Sequence, residues 1–125
     1  MNIFDDVSAE RAVYRGTQDA SAAIRFFREN AALLGVDPDL IFIAGSSAGA
    51  VAALHVSYVE DSERPESTFA QAGTNALDLG NIHSHQVEQI TNTNLNSPIS
   101  TSINSLQSGI PNAVVACWGG IGDLD

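Results

Sequence analysis

Leu40-Ile41-Phe42-Ile43-Ala44-Gly45-Ser46-Ser47-Ala48-Gly49 is the stretch on which the reading of this chain turns. Residues 40–44 form an unbroken apolar run of β-forming side chains, fenced by Pro38 before it and Gly45 after it. Apolar side chains on both faces predict a buried strand in the middle of a sheet with helices on each side. The small residues that follow read as a tight turn, and Ala50 to Val59 returns to helix-compatible composition. Gly45-Ser46-Ser47-Ala48-Gly49 fits Gly-x-Ser-x-Gly at a strand-to-helix corner, a turn that lifts the central hydroxyl clear of the sheet. Ser47 is therefore a candidate nucleophile. The N–H of Ala48 points where an oxyanion would form, with the helix dipole adding to its pull. Gly45 and Gly49 are expected at this corner because a side chain at either would strike the adjoining strand or helix.

Upstream, Ala20, Ala23, Ile24, Phe27, Ala31 and Leu34 recur at three-and-four spacing and predict a helix over 18–34. Thr17 is its expected N-cap and Gly35 its left-handed C-terminal residue. Met1 to Arg15 shows no strong period and reads as an irregular lead-in. Val36-Asp37-Pro38-Asp39 is a turn, since proline fixes its own φ and biases Asp37 away from helix. Downstream, residues 60–112 read as a polar, variable excursion. Between Asn81 and Gly109, 14 of 29 residues are Ser, Thr or Asn, which leaves too few apolar positions for a core element. Ala113-Val114-Val115-Ala116-Cys117-Trp118 then predicts a second buried strand. Helix, strand, turn, helix, excursion and strand is the order of an α/β sheet.

Composition narrows the chemistry. The 125 residues hold 15 acidic and 5 basic side chains, a formal net charge of -10. All five cations are arginines, Arg11, Arg15, Arg25, Arg28 and Arg64, and there is no lysine. Schiff-base chemistry, Ser-Lys hydrolysis and a phosphate-binding P-loop lysine are excluded on that ground. Net negative charge opposes a nucleic-acid backbone or an anionic membrane as partner. No apolar run reaches the roughly 18 residues of a membrane span, and residues 1–12 lack the layout of a signal peptide. The lone Cys117 reads as a small buried strand residue, and three histidines with one thiol give no zinc spacing, so no metal or cofactor is expected.

With those residues in view, the segment Gln18-Asp19, Ala22 through Ala31, Gly35-Val36-Asp37-Pro38 and Ile41 through Gly49 resembles the nucleophile-elbow region of α/β-hydrolase serine esterases. It is similar to carboxylesterases and lipases, and in particular to the polyhydroxybutyrate depolymerase and feruloyl esterase kind. The resemblance runs from about Tyr14 to Tyr58, with Ala113 to Asp125 similar to the next core strand. It implies a partial α/β-hydrolase fold, a single incomplete domain over 1–125, and a small carboxylic ester as substrate. Ser47 matches the family nucleophile, Ala48 the oxyanion-hole residue, and Gly45 and Gly49 the elbow glycines. A secreted or periplasmic location fits such relatives. Ala50 departs from them, since many have a third glycine there.

The resemblance places a triad acid and then a histidine after later strands. This sequence is expected to be an internal segment of an esterase that acts through an acyl-enzyme on Ser47 and is inactive alone. The alternatives are a non-catalytic, degenerate segment, or a peptidase or thioesterase on the same scaffold. His55, eight residues past Ser47 on one helix, is about 12 Å along the axis and out of hydrogen-bond reach. His83 and His85 fall in the polar excursion and read as solvated or cap-region residues. Asp123 and Asp125 read as turn or cap residues, and Tyr58 and Trp118 as core or rim aromatics.

Overall fold

The computed structural model describes residues 6–83 and 107–118. The order is helix α1 (Asp6–Glu29), a short helix α2 (Ala31–Leu34), strand β1 (Phe42–Ser46), helix α3 (Ala48–Tyr58), two 3-10 turns (Asp61–Glu63, Glu66–Thr68) and strand β2 (Ala113–Cys117). β1 and β2 pair in parallel, with Phe42 opposite Ala113 and Ser46 opposite Cys117. Helix α3 crosses from one to the other, packing on both strands and on α1. Helices on a small parallel sheet form an α/β arrangement, and the parallel pairing is the one the sequence predicts.

Helix α1 begins about three turns earlier than expected. Thr17 is not its N-cap but a fully buried interior residue whose hydroxyl donates to the Val13 carbonyl at 3.0 Å. Gly16 lies inside the helix. The inward face only partly matches the expected one: Ile24 and, in α2, Ala31 are buried as predicted. Ala23 and Phe27 are exposed, whereas Tyr14, Thr17, Gln18, Ser21 and Arg25 are buried. The reason is a ladder of donors spaced by three and four: Arg11, Tyr14, Gln18, Ser21, Arg25 and Arg28. Arg11 donates to the carbonyls of Ser67, Phe69 and Leu77. Tyr14 donates to Gly80, and Gln18 to Leu79, Gly80 and Asn81. Arg25 donates to the carbonyl of His83 at 3.1 Å, and Arg28 to those of Pro38, Ser108 and Ile110. Residues 67–83 are thus tied along α1, with Leu79 and Ile82 joining Tyr14 in a buried cluster.

Gly16 costs this helix stability without a packing reason, because a Cβ built there meets nothing within 4 Å. Gly16→Ala is expected to raise stability by about 0.5–1 kcal/mol. Chemical denaturation measures it, and an unchanged or lowered midpoint would refute the helical placement of that residue.

The C-terminal stop and the turn after it are as the sequence predicts. Gly35 takes φ 68°, its N–H bonding the Ala31 carbonyl, and the Asp37 carboxylate accepts the Asp39 N–H at 2.9 Å. Asn112 then aligns the strands. Its carboxamide oxygen accepts from Ile41 N–H and from Arg28 Nη2, both at 3.0 Å, while its own N–H donates to the Ile41 carbonyl at 2.7 Å.

The strands are not buried as expected. Exposure alternates along β1, and Phe42 is 64% exposed and Val115 56%. Side chains alternate between faces, and α3 covers one face only, through the stripe Ala50, Ala53 and Val56. Among the described residues no helix packs on the other face, and its side chains, Phe42, Ala44 and Ser46 on β1 and Ala113, Val115 and Cys117 on β2, are exposed. Cys117 lies at the end of β2 and is exposed for the same reason. No helix among the described residues is long and apolar enough to cross a membrane.

Candidate active site

The site is built at the C-terminal ends of the two parallel strands. Ser47 leaves β1 with φ 53° and ψ -123°, a conformation that L side chains rarely adopt. Its N–H donates to the Cys117 carbonyl at 3.1 Å, the last bond of the sheet, and its own carbonyl accepts from Ala50 and Val51 at 2.9 and 3.3 Å. Those bonds start α3 immediately. The N–H groups of Ala48 and Gly49 therefore lie in the first helical turn, where the helix offers them no acceptor. Ser47 and Ala48 are both exposed. An exposed hydroxyl on a strained corner, beside free N–H groups at the positive end of a helix dipole, suits attack on a carbonyl whose oxygen becomes negative.

Gly45 makes this corner possible. A Cβ on it would lie 2.0 Å from the Gly49 carbonyl oxygen and 2.7 Å from Ala50 N, both backbone atoms. Gly49 differs from the expectation of a clash. A Cβ there meets nothing within 4 Å. The corner needs one glycine for space rather than two.

Neither described histidine reaches Ser47. His55 is half-buried on α3, two turns beyond the corner, and burial lowers its pKa. His83 has both ring nitrogens engaged. The Val59 carbonyl can only accept, so Nε2 carries the proton and donates to it at 3.0 Å. Nδ1 is then the acceptor for the Ser21 hydroxyl at 3.3 Å, and that hydroxyl in turn accepts from Arg25 Nη1 at 2.8 Å. His83 ties the end of α3 to α1 and serves no nucleophile. Its backbone N–H and that of Ile82 are held by the Asp61 carboxylate at 3.0 and 2.9 Å. His85, Asp123 and Asp125 lie outside the described residues. Among the described residues no three His, Cys, Asp or Glu side chains converge as a metal site would require.

His55 gives the fold a pH dependence of definite sign. Its folded pKa is lowered below 6.5 by desolvation, so the unfolded chain takes up the proton first and stability falls as pH drops below about 6.5. His55→Gln is expected to flatten the loss of stability between pH 7 and 5 in denaturation experiments. An unaltered slope would show that the imidazole is not desolvated. Asp78 acts in a separate window. The Gly80 N–H first, and Arg64 next, lower its pKa below 3.8, so its contribution persists until the pH falls below that value.

Sequence reasoning missed the anchoring residues Arg11, Gln18, Arg28 and Asn112, although donors at helical spacing along one face were visible. It also read Tyr58 and Trp118 as core or rim, and they are 70% and 93% exposed. Among comparisons with known proteins, the family model described as BD-FAE matches residues 7–109. No curated protein matches, and no solved structure does.

Proposed function

The chain belongs to the BD-FAE family of α/β-hydrolase-like esterases, and from that membership we propose that Ser47 is the nucleophile of a carboxylic-ester hydrolase. The observation that carries this reading is the backbone of Ser47 at φ 53°, forced at the junction of β1 and α3 over a Gly45 that has no room for a Cβ. Strain of this kind persists where the surrounding structure imposes it, and here it presents one hydroxyl.

In the proposed reaction Ser47 Oγ bonds to the ester carbonyl carbon, and the carbonyl oxygen, now negative, accepts from the Ala48 N–H. The bond to the alcohol oxygen breaks, and the alcohol leaves with the serine proton. Water then attacks the acyl group, releasing a carboxylic acid and restoring the hydroxyl. The described residues supply the nucleophile and the oxyanion donor in this reading. The proton acceptor is supplied from outside them, because His83 is fully engaged and His55 is two helical turns away. No metal or cofactor enters any step.

The test is phosphonylation of the full chain by a fluorophosphonate, in which an Oγ–P bond forms, the P–F bond breaks, and fluoride and the hydroxyl proton leave. Contrary to the expectation of a chain inactive alone, labelling requires a proton acceptor within the full chain, and intact mass and peptide mapping are expected to find a single adduct, on Ser47. An unmodified chain, or an adduct elsewhere, overturns the proposal.

A further inference from the structure

Among the described residues, two other than glycine have positive φ, Ser47 at 53° and Trp118 at 58°. They are neighbours across the sheet. Ser46 and Cys117 are register partners, and the Ser47 N–H bonds the carbonyl of Cys117, the residue before Trp118. Adjacent strands lie about 4.8 Å apart, so the backbone of Trp118 stands next to the corner that carries the candidate nucleophile.

The corner accounts for the strain at Ser47, but no packing among the described residues accounts for that at Trp118. Its side chain is 93% exposed, the most exposed large apolar residue described. An aromatic residue in the left-handed region is a true outlier, and an indole in water forgoes the burial that ordinarily holds such a side chain in place. The left-handed step also ends β2 at the rung where Ser47 leaves β1, so pairing stops and the indole is not carried onward in the sheet. Two local costs thus coincide at the C-terminal ends of parallel strands, the edge of an α/β sheet at which ligands bind. Strained residues of this kind gather where a ligand must be held.

We infer that Trp118 is a specificity-determining residue, its indole forming the stacking surface for a flat apolar group of an ester whose carbonyl is presented to Ser47. The inference rests on the reading of Ser47 as nucleophile. It assigns to Trp118 a role in selecting substrate shape rather than in bond making.

Two ethyl fluorophosphonates, one bearing phenyl on phosphorus and the other cyclohexyl, differ in flatness at similar size. In the full chain the phenyl reagent is expected to label Ser47 faster, and Trp118→Leu to lower the phenyl-to-cyclohexyl rate ratio about tenfold, the scale of one aromatic stack. The cyclohexyl rate should fall less than the phenyl rate, and Trp118→Phe should keep most of the ratio. Comparing ratios between variants cancels the reagents' own reactivities. An unchanged ratio in Trp118→Leu overturns the inference while leaving Ser47 as the nucleophile. If neither reagent labels the wild-type chain, the nucleophile reading fails, and the inference is decided by emission of Trp118, the one tryptophan in the sequence. A saturable change with acetophenone and none with cyclohexyl methyl ketone supports the stacking surface. No saturable change with either overturns it.

Discussion

Ser47→Ala is expected to lower fluorophosphonate labelling by roughly 10³-fold or more, the scale on which loss of a serine nucleophile acts, while Ser46→Ala labels at close to the wild-type rate. The adjacent serine is the stringent control. Both hydroxyls are exposed and sit one residue apart, but Ser46 is the last residue of β1, paired with Cys117, and Ser47 alone occupies the strained corner. If reactivity came merely from an exposed hydroxyl in a Gly/Ser run, the two variants would behave alike. Alanine shares the steric demands of serine at positive φ, so Ser47→Ala should unfold at the wild-type denaturant midpoint. A variant that loses both labelling and stability would instead point to a structural task for the hydroxyl.

Gly45→Ala is expected to destabilise the fold by at least about 3 kcal/mol and to abolish labelling, whereas Gly49→Ala should change stability by no more than about 1 kcal/mol. A Cβ at Gly45 would lie 2.0 Å from a backbone oxygen and 2.2 Å from the carbon bearing it, so no rotamer change relieves the overlap. Either β1 or the start of α3 must move, and the corner that sets the Ser47 geometry lies between them. Gly49 has open space at its Cα, and alanine is the better helix former there. Denaturation midpoints of the two variants decide the matter. Equal losses would mean that both glycines are needed for space, as the motif alone suggests.

Features governed by side-chain-independent backbone rules were legible in the sequence. Pro38 and Gly35 marked the turn, Gly45 to Gly49 marked the corner, and the composition of 50–59 marked α3. The parallel partnership of the two apolar runs followed from the helix between them. The buried face of α1 was not legible, because hydrophobic periodicity counts only side chains that seek apolar company. Gln18 and Arg25 are buried because main-chain carbonyls meet them, and Ser21 because its hydroxyl lies between His83 Nδ1 and Arg25 Nη1; such partners leave no mark in the order of residue types. The same blindness hid the docking of 67–83, a polar segment whose few apolar residues, Leu79 and Ile82, suffice to close over Tyr14. The exposure of Phe42 and Val115 escaped for the opposite reason. An apolar run reports that a strand can be covered on both faces, not that the described residues cover it.

Trp118 and Ser47 illustrate a further limit. A left-handed φ at a non-glycine residue comes from the pull of its surroundings, and neither identity betrays it. Ser47 was found because a motif accompanies it, and Trp118 had none.

The donor ladder on α1 sets how this protein can change over time. Every residue type carries a carbonyl, so Arg11 and Gln18 grip their partner segment without regard to the side chains it bears. Loop and helix therefore stand under unequal constraint. Residues between 67 and 83 whose side chains point outward are free to diversify, and new surface chemistry can be tried there while the backbone stays fastened. The helix that holds them has no such liberty, since each rung is a particular side chain with a particular reach. The conservative element of this fold is a row of polar residues on a helix, and its inventive one is the stretch that row restrains.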